Sequence, residues 1–137
     1  MADKRFRLFV YGTYLRGQPN HELLTDAKSL GPAKTQPKYT LVELNTLAGL
    51  LEGGNTEVFG ELYELSYETL SRCDKHSDHP ARFHRGTVEL ADGSEAEAYL
   101  VFADQARARR RLRHGDWRRR FAPARERPKS AWARRGR

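Results

Sequence analysis

The hydrophobic pattern of the chain predicts a series of short strands separated by turn residues. The run "RFRLFVYG" alternates polar and apolar positions, becomes continuously apolar and stops at Gly12, as a strand does when it ends in a tight turn. The runs "KYTLVEL", "LAGLLEGG" and "TEVFGELYEL" are similar, and Gly, Asn and Pro separate them. We therefore predict four strands in the first half of the chain.

Helices are predicted to be few and short. Pro19 suits the first turn of a short helix in "RGQPNHELLTD", and Ser66 is a suitable N-cap for a helix over "YETLSRCDKH". Asp92–Gly93, between "RGTVEL" and "EAEAYLVF", is typical of a β-hairpin. The run "DQARARRRLRHGDWRRRF" begins like a helix and must loosen at Gly115.

This order of elements predicts one α+β domain. Strands dominate and no long helix alternates with them, which favours a small mixed sheet or β-barrel with short helices packed on it. We assign residues 1–121 to this domain. Residues 122–137 have too little apolar content to fold alone and are predicted to form a basic, disordered tail.

The net charge of +7 hides an uneven distribution. Residues 106–137 contain 14 Lys and Arg against two acids, whereas residues 1–105 contain 11 basic and 16 acidic residues. A basic segment can bind nucleic acid, but this one lacks interleaved aromatics and matches no DNA-binding motif. We therefore interpret it as a solvated extension and expect no nucleic-acid partner.

The compartment follows from cysteine content and hydropathy. Cys73 is the single cysteine, so no intramolecular disulfide can form, and we expect it to be a small packed side chain. No apolar run is long enough to span a bilayer, and the start "MADKRFR" does not resemble a signal peptide. A cytoplasmic protein without a membrane partner is expected.

The segment "DKHSDHPARFHR", residues 74–85, concentrates the candidate chemistry. His76, Asp78 and His79 have short metal-site spacings, but no distant ligand cluster would complete a tetrahedron, so no metal is expected. A Ser77 nucleophile with a neighbouring histidine is disfavoured, because adjacent residues seldom point at each other.

Several residues admit both a structural and a functional role. Asp74 is expected to fix the end of the helix or loop, and Arg85 to pair with an internal acid such as Glu61. Glu61 is either a buried carboxylate that is paired with a cation or a carboxylate that faces into a cavity. Tyr99 either lines that cavity or only packs in the barrel.

The turn after the first strand, "FVYGTYLRGQPN", is the other candidate site. Its glycine spacing fits neither the Walker pattern nor the dinucleotide fingerprint, so a plain tight turn and an anion-holding nest both remain open. Together with "GELYEL", "DKHSDHPARFHR" and "HGDW" in that order, however, it resembles the γ-glutamylcyclotransferase family. The resemblance covers about residues 8–117 and is strongest to the compact branch with γ-glutamylamine cyclotransferase and the butirosin-pathway enzyme.

The resemblance implies a small mixed barrel with a cavity beside the first turn. By this resemblance, the substrate would be bound by the turn and by the side chains of Phe83 and Tyr99. The turn consists of Tyr11, Gly12, Thr13, Tyr14 and Leu15. Tyr14 stands where the family usually has leucine.

The resemblance also implies a reaction. In the family, the free α-amine of a γ-glutamyl group attacks its own γ-carbonyl, which gives 5-oxoproline and releases an amine. The nucleophile is tethered, and one carboxylate moves the protons, so no cofactor is needed. The family pattern D-x-x-E-x-x-P-x-x-Y-x-R places its catalytic glutamate at Ser77 and its tyrosine at Phe83.

Three hypotheses follow from a serine at that position. Asp78, the next acid along the chain, can carry the proton in place of the missing glutamate. Alternatively, the protein keeps the pocket and only binds γ-glutamyl compounds or amino acids. Thirdly, Ser77 is a substitution introduced to inactivate the protein.

Overall fold

The computed structural model describes residues 5–121. The predicted tail, 122–137, lies outside them. Eight strands form one sheet; they are β1 (Arg5–Val10), β2 (Lys28–Lys34), β3 (Tyr39–Leu44), β4 (Leu47–Glu52), β5 (Phe59–Ser66), β6 (His84–Glu89), β7 (Glu95–Leu100) and β8 (Arg110–Arg111). The helices are α1 (Tyr67–His76) and the short α2 (Ala103–Ala106), with single 3-10 turns at His21–Leu24 and Trp117–Arg119.

The sheet is mixed and curls into a half-barrel, which confirms the predicted fold class. Its strand order is β2-β5-β1-β7-β4-β3-β8, and β6 pairs with β7. Most neighbours are antiparallel, but β1 and β4 both run parallel to β7. The largest fully buried side chains of the apolar core include Phe9 and Leu8 of β1 and Leu50 of β4.

One strand, β7, organises the centre of the sheet. It pairs along its whole length with β6. Its other edge meets β1 at Glu97 and β4 at Leu100, so two strands diverge from one edge. The space between β1 and β4 is left open by the strand pairing.

The helix α1 begins where the sequence predicts. Ser66 is its N-cap and accepts a hydrogen bond from the amide of Thr69 at 3.3 Å. Leu70 and Cys73 are buried beneath the helix, as an amphipathic helix packed on a sheet requires. The helix ends at His76, so Ser77 follows directly at its C-terminal end.

Strand β2 escaped the sequence analysis because Gly31 and Pro32 lie inside it. Proline is tolerated on an edge strand, where its missing N–H costs no ladder bond, and β2 is at the end of the sheet. The register shifts between Ser29 and Gly31, and Gly31 has a φ of +96°. A bulge therefore accommodates the residues that obscured the strand.

The segment that follows β7 differs from its prediction. The helix α2 stops at Ala106, long before Gly115, and β8 then pairs with β3. Leu112 and Trp117 are buried in the core, so this part of the basic segment is packed and is not a solvated extension. No helix reaches Gly115, but the turn there requires glycine: its φ is +73°, and a Cβ would lie 1.9 Å from the carbonyl oxygen of Glu57.

Two smaller features complete the fold. The 3-10 turn begins at His21, so Pro19 precedes it instead of occupying its first turn. The predicted hairpin is present, with Gly93 at a φ of +92° between β6 and β7. Across residues 5–121 no helix has the length and apolarity needed to cross a membrane.

Candidate functional site

A cavity of about 320 Å³ opens in the gap between β1 and β4. The strands, the first turn and the end of α1 all contribute to its wall. The lining residues are Phe9, Val10, Tyr11, Gly12, Thr13, Tyr14, Asn20, Leu47, Ala48, His76, Ser77, Arg82, Phe83 and Tyr99. The two segments singled out in the sequence, 11–15 and 74–85, therefore meet at one cavity.

Tyr11 closes the inner end of the gap. Its hydroxyl donates to the carbonyl oxygen of Tyr99 on β7 at 2.6 Å and accepts from the amide of Leu50 on β4 at 3.2 Å. Burial raises the pKa of the Tyr11 hydroxyl, so it stays protonated. The Tyr11 hydroxyl thus connects β4 and β7 through side-chain hydrogen bonds at the place where β1 and β4 separate.

The turn after β1 is held against β4 by close packing. A Cβ on Gly12 would lie 2.5 Å from the Cβ of Ala48, so only glycine permits this approach. Farther along, Asn20 makes two hydrogen bonds to Thr13. Its side-chain Nδ2 donates to Thr13 Oγ1 at 2.7 Å, and its backbone N–H donates to the Thr13 carbonyl oxygen at 2.8 Å. The turn is therefore a fixed part of the wall.

The outer end of the turn is fixed by Glu61. Its Oε1 accepts from the amide of Arg16 at 2.9 Å and from the Tyr63 hydroxyl at 2.8 Å. Arg118 donates to Glu61 Oε2 at 3.3 Å and also to the carbonyl oxygen of Arg16. Burial raises the pKa of Glu61, but these hydrogen bonds and the charge of Arg118 outweigh it, and the pKa lies below its usual value.

Glu61 is therefore a paired carboxylate and does not line the cavity. The predicted pairing of Arg85 with Glu61 is wrong. Arg85 instead binds Asp74 Oδ2 and, at 3.0 Å, Glu97 Oε1. Arg85 lies opposite Tyr99 in the pairing of β6 with β7, which brings it close to Glu97 two residues earlier on β7.

Asp74 joins this ion pair to the cavity wall. Its Oδ1 accepts from the hydroxyl of Tyr99 at 2.6 Å, while Oδ2 binds Arg85. Both oxygens thus have partners, and Asp74 itself is not a lining residue of the cavity. Burial and the adjacent Asp74 raise the pKa of Tyr99.

Two of the departures from the family pattern, Tyr14 and Ser77, touch each other. The Tyr14 hydroxyl and Ser77 Oγ lie 2.9 Å apart across 63 residues of sequence, and both line the cavity. The Tyr14 ring stacks on Tyr99 at 6.2 Å and meets the edge of His76 at 5.9 Å. Burial raises the pKa of Tyr14 more than the hydrogen bond with Ser77 lowers it, so its hydroxyl remains protonated.

Comparison with known proteins decides the family. The family model described as "Gamma-glutamyl cyclotransferase, AIG2-like" matches residues 8–119. The chain belongs to the γ-glutamylcyclotransferase family. A Vibrio cholerae relative named "Putative gamma-glutamylcyclotransferase" is 36% identical over 110 residues, which is 80% of this chain and 93% of the relative.

Other members of the γ-glutamylcyclotransferase family are also similar. The Bos taurus "Gamma-glutamylaminecyclotransferase" is 38% identical over 93 residues, 61% of this chain and 55% of the relative. The crystal structure of an AIG2-like protein from Mus musculus has a TM-score of 0.70 and 27% identity, and the match covers 82% of this chain and 87% of that one. Family and fold are thus supported by sequence and by structure.

The structure brings most of the predicted site residues together. Ser77, Phe83, Tyr99 and the turn residues 11–14 line the cavity, but Leu15 is fully buried in the core beside it. Asp78 is exposed, has a φ of +56° and is not a lining residue. Its proposed role as proton carrier therefore stays a prediction.

Two lining residues, Arg82 and His76, were not predicted from the sequence. His76 directly precedes Ser77 and Arg82 directly precedes Phe83. Their position next to two predicted site residues on a short segment is the signal that could have identified them. Across residues 5–121 no group of His, Cys, Asp and Glu is arranged to hold a metal ion. His79 Nδ1 instead accepts from the amide of Arg85 at 3.0 Å. Cys73 is buried, and burial raises its pKa to about 11, so it is a packed thiol.

Proposed function

We propose that the cavity binds glutamyl-type ligands, meaning a γ-glutamyl group or the 5-oxoproline derived from it, without converting one into the other. The observation that carries this proposal is the contact between Tyr14 and Ser77. By the family pattern Ser77 takes the place of the catalytic carboxylate, and its Oγ lies with the Tyr14 hydroxyl in the cavity wall. The family relationship supports the ligand class, and the missing acid argues against turnover.

The chemistry explains why hydroxyls do not replace the carboxylate. Cyclisation requires a base that deprotonates the α-ammonium and then returns a proton to the leaving nitrogen. A useful base has a pKa near the working pH, whereas the pKa values of Tyr14, Tyr99 and Tyr11 are all raised by burial. These groups can form hydrogen bonds to a ligand but cannot take its proton.

The test is to rebuild the acid. The Tyr14 hydroxyl lies 2.9 Å from Ser77 Oγ, so it occupies the space into which a longer side chain would extend. We therefore expect Ser77→Glu alone to be hindered, and Tyr14→Leu with Ser77→Glu to form 5-oxoproline from a γ-glutamyl amine. Tyr14→Leu alone is the matched control and should remain inactive.

The native protein should bind these compounds in a calorimetric titration while releasing no 5-oxoproline. Release of 5-oxoproline by the native protein would overturn the proposal that the cavity binds these compounds without converting them. Absence of binding to glutamate, 5-oxoproline and γ-glutamyl amines alike would overturn the ligand class as well.

A second candidate is a cyclotransferase that uses Asp78. It is favoured by position, because Asp78 follows Ser77 directly and its exposed carboxylate lies at the end of α1. Asp78→Asn should then abolish 5-oxoproline formation with little change in stability. If the native protein is active and Asp78→Asn is equally active, this assignment fails.

A further inference from the structure

We infer that the cavity selects glutamate derivatives whose nitrogen is acylated, such as 5-oxoproline or an N-acylglutamate, over those with a free α-ammonium. This inference rests on the proposed function and names the ligand within it. It follows from the charges that line the cavity, the partners of nearby carboxylates and the hydrogen-bonding capacity of the Tyr14–Ser77 pair.

The lining carries positive charge and no negative charge among the described residues. Arg82 supplies a permanent cation, and none of the lining side chains is a carboxylate. An ammonium group that leaves water loses hydration and needs an anionic partner to offset that loss. Such a partner is absent from the lining within residues 5–121.

The carboxylates that are bonded to the turn, to Tyr99 or to Arg85 are committed to those partners. Both oxygens of Asp74 are bound, one by Tyr99 and one by Arg85. Glu97 is paired with the same Arg85 at 3.0 Å, and Glu61 binds the outer end of the turn. Asp78 follows Ser77 in the chain, but it is exposed and is not a lining residue. A ligand ammonium therefore finds no carboxylate among the lining residues in the described range 5–121.

A ligand carboxylate, in contrast, has a partner. The guanidinium of Arg82 has neither a hydrogen bond nor an ion pair with another residue in the range 5–121, although the Arg82 backbone is fixed by Asp78 and Gln105. Guanidinium groups bind carboxylates through parallel N–H donors. Arg82 is thus available at the cavity for the carboxylate that every glutamate derivative carries.

The hydroxyl pair suits an amide or lactam. Of the two hydrogens on Tyr14 and Ser77, one lies in the bond between them, and the other can point to a ligand acceptor. A lactam carbonyl is such an acceptor. The aromatic rings of Phe9, Phe83 and Tyr99 provide apolar wall for the uncharged ring.

The experiment is a calorimetric titration of the full chain at neutral pH with four probes: 5-oxoproline, N-acetylglutamate, glutamate and a γ-glutamyl amine. We expect the first two to bind at least about tenfold more tightly than the last two, a difference of about 1.4 kcal/mol. Comparing 5-oxoproline with N-acetylglutamate tells whether the cyclic or the open form is the better ligand.

Two variants test the cause of the selectivity. Tyr14→Leu with Ser77→Glu should reverse the preference, because it places a carboxylate in the wall. Arg82→Gln should weaken both acylated acids about tenfold, whereas Arg107→Gln, at an exposed arginine of the α2 end, should leave them unchanged.

The outcomes separate the inference from the proposed function. Equal or tighter binding of the two ammonium compounds by the native protein overturns the inference and leaves the proposed function standing. Binding of none of the four probes overturns both. If Tyr14→Leu with Ser77→Glu leaves the selectivity unchanged, the lack of a carboxylate in the cavity wall is not its cause.

Discussion

Tyr11 and Tyr14 lie on the same turn, yet their hydroxyls have different kinds of partner. The Tyr11 hydroxyl is fully committed to backbone atoms of β4 and β7. Among residues 5–121, the Tyr14 hydroxyl hydrogen-bonds only to the side chain of Ser77, and Tyr14 lies in the wall of the cavity. A tyrosine bonded to the backbone on both sides holds the fold together, whereas one bonded to a single side chain keeps capacity for a ligand.

Tyr99 connects these two regions. Its carbonyl oxygen accepts from Tyr11, its ring stacks on Tyr14, and its hydroxyl donates to Asp74. The comparison therefore makes distinct predictions for the structural side, the connection and the ligand side.

The largest effect is expected for Tyr11→Phe. It leaves the buried amide of Leu50 and the carbonyl of Tyr99 without their shared partner, and each unsatisfied buried group costs about 1–3 kcal/mol. We expect the free energy of unfolding, measured by denaturant titration, to fall by about 2–4 kcal/mol. Tyr39→Phe is the control; it removes one bond, from the amide of Glu89, and should cost less.

Asp74→Asn tests the connection. The Asp74 and Arg85 side chains are 23% and 24% exposed, so the ion pair is partly screened and its loss should cost less than that of a fully buried pair. We expect a loss of about 2 kcal/mol in unfolding free energy. Lys38→Gln breaks the exposed pair with Glu89 and should cost under about 1 kcal/mol. Equal losses would show that Asp74 does not support Tyr99.

Tyr14→Phe should affect binding more than folding. It removes one hydrogen bond at the cavity, which costs about 1 kcal/mol of stability, but it also removes the hydroxyl pair. We expect calorimetry to show about tenfold weaker binding of 5-oxoproline. A Tyr14→Phe variant that binds normally but unfolds as readily as Tyr11→Phe would erase the distinction between the two tyrosines.

The smallest effect concerns pH and the outer end of the turn. Because the pKa of Glu61 is lower in the folded chain than in the unfolded one, its ionised form stabilises the fold. That contribution is present above the unfolded pKa, about 4.3, and disappears as the pH falls through the folded pKa. Glu61→Gln should therefore be less stable than the native chain at neutral pH, with the difference shrinking in acid. A constant difference across that range would contradict the assignment.

Local sequence signals predicted much of the fold. The apolar runs of β1, β3, β4 and β5, the N-cap Ser66 and the Asp92–Gly93 hairpin were all confirmed. Such features depend on neighbouring residues, so a single sequence contains them. Strand β2 was missed since its glycine and proline mimic a loop, and only its edge position in the sheet makes them tolerable.

The site was harder to predict because its contacts join distant residues. The two segments were identified from their composition and family resemblance, but the pairing of Tyr14 with Ser77 spans 63 residues and depends on how α1 ends above the turn. The same limit explains the wrong partner for Arg85. Which acid it meets is set by the β6–β7 pairing, and no local pattern encodes that choice.

The contact of Arg118 with the turn has a consequence for protein synthesis. The turn leaves the ribosome early, but Arg118, which fixes its outer end through Arg16 and Glu61, is made 102 residues after Arg16. A nascent chain can pair β1 with β5 well before that point. The outer end of the turn is therefore fixed late, and fragments that end before residue 118 contain most of the sheet without the Arg118 contacts.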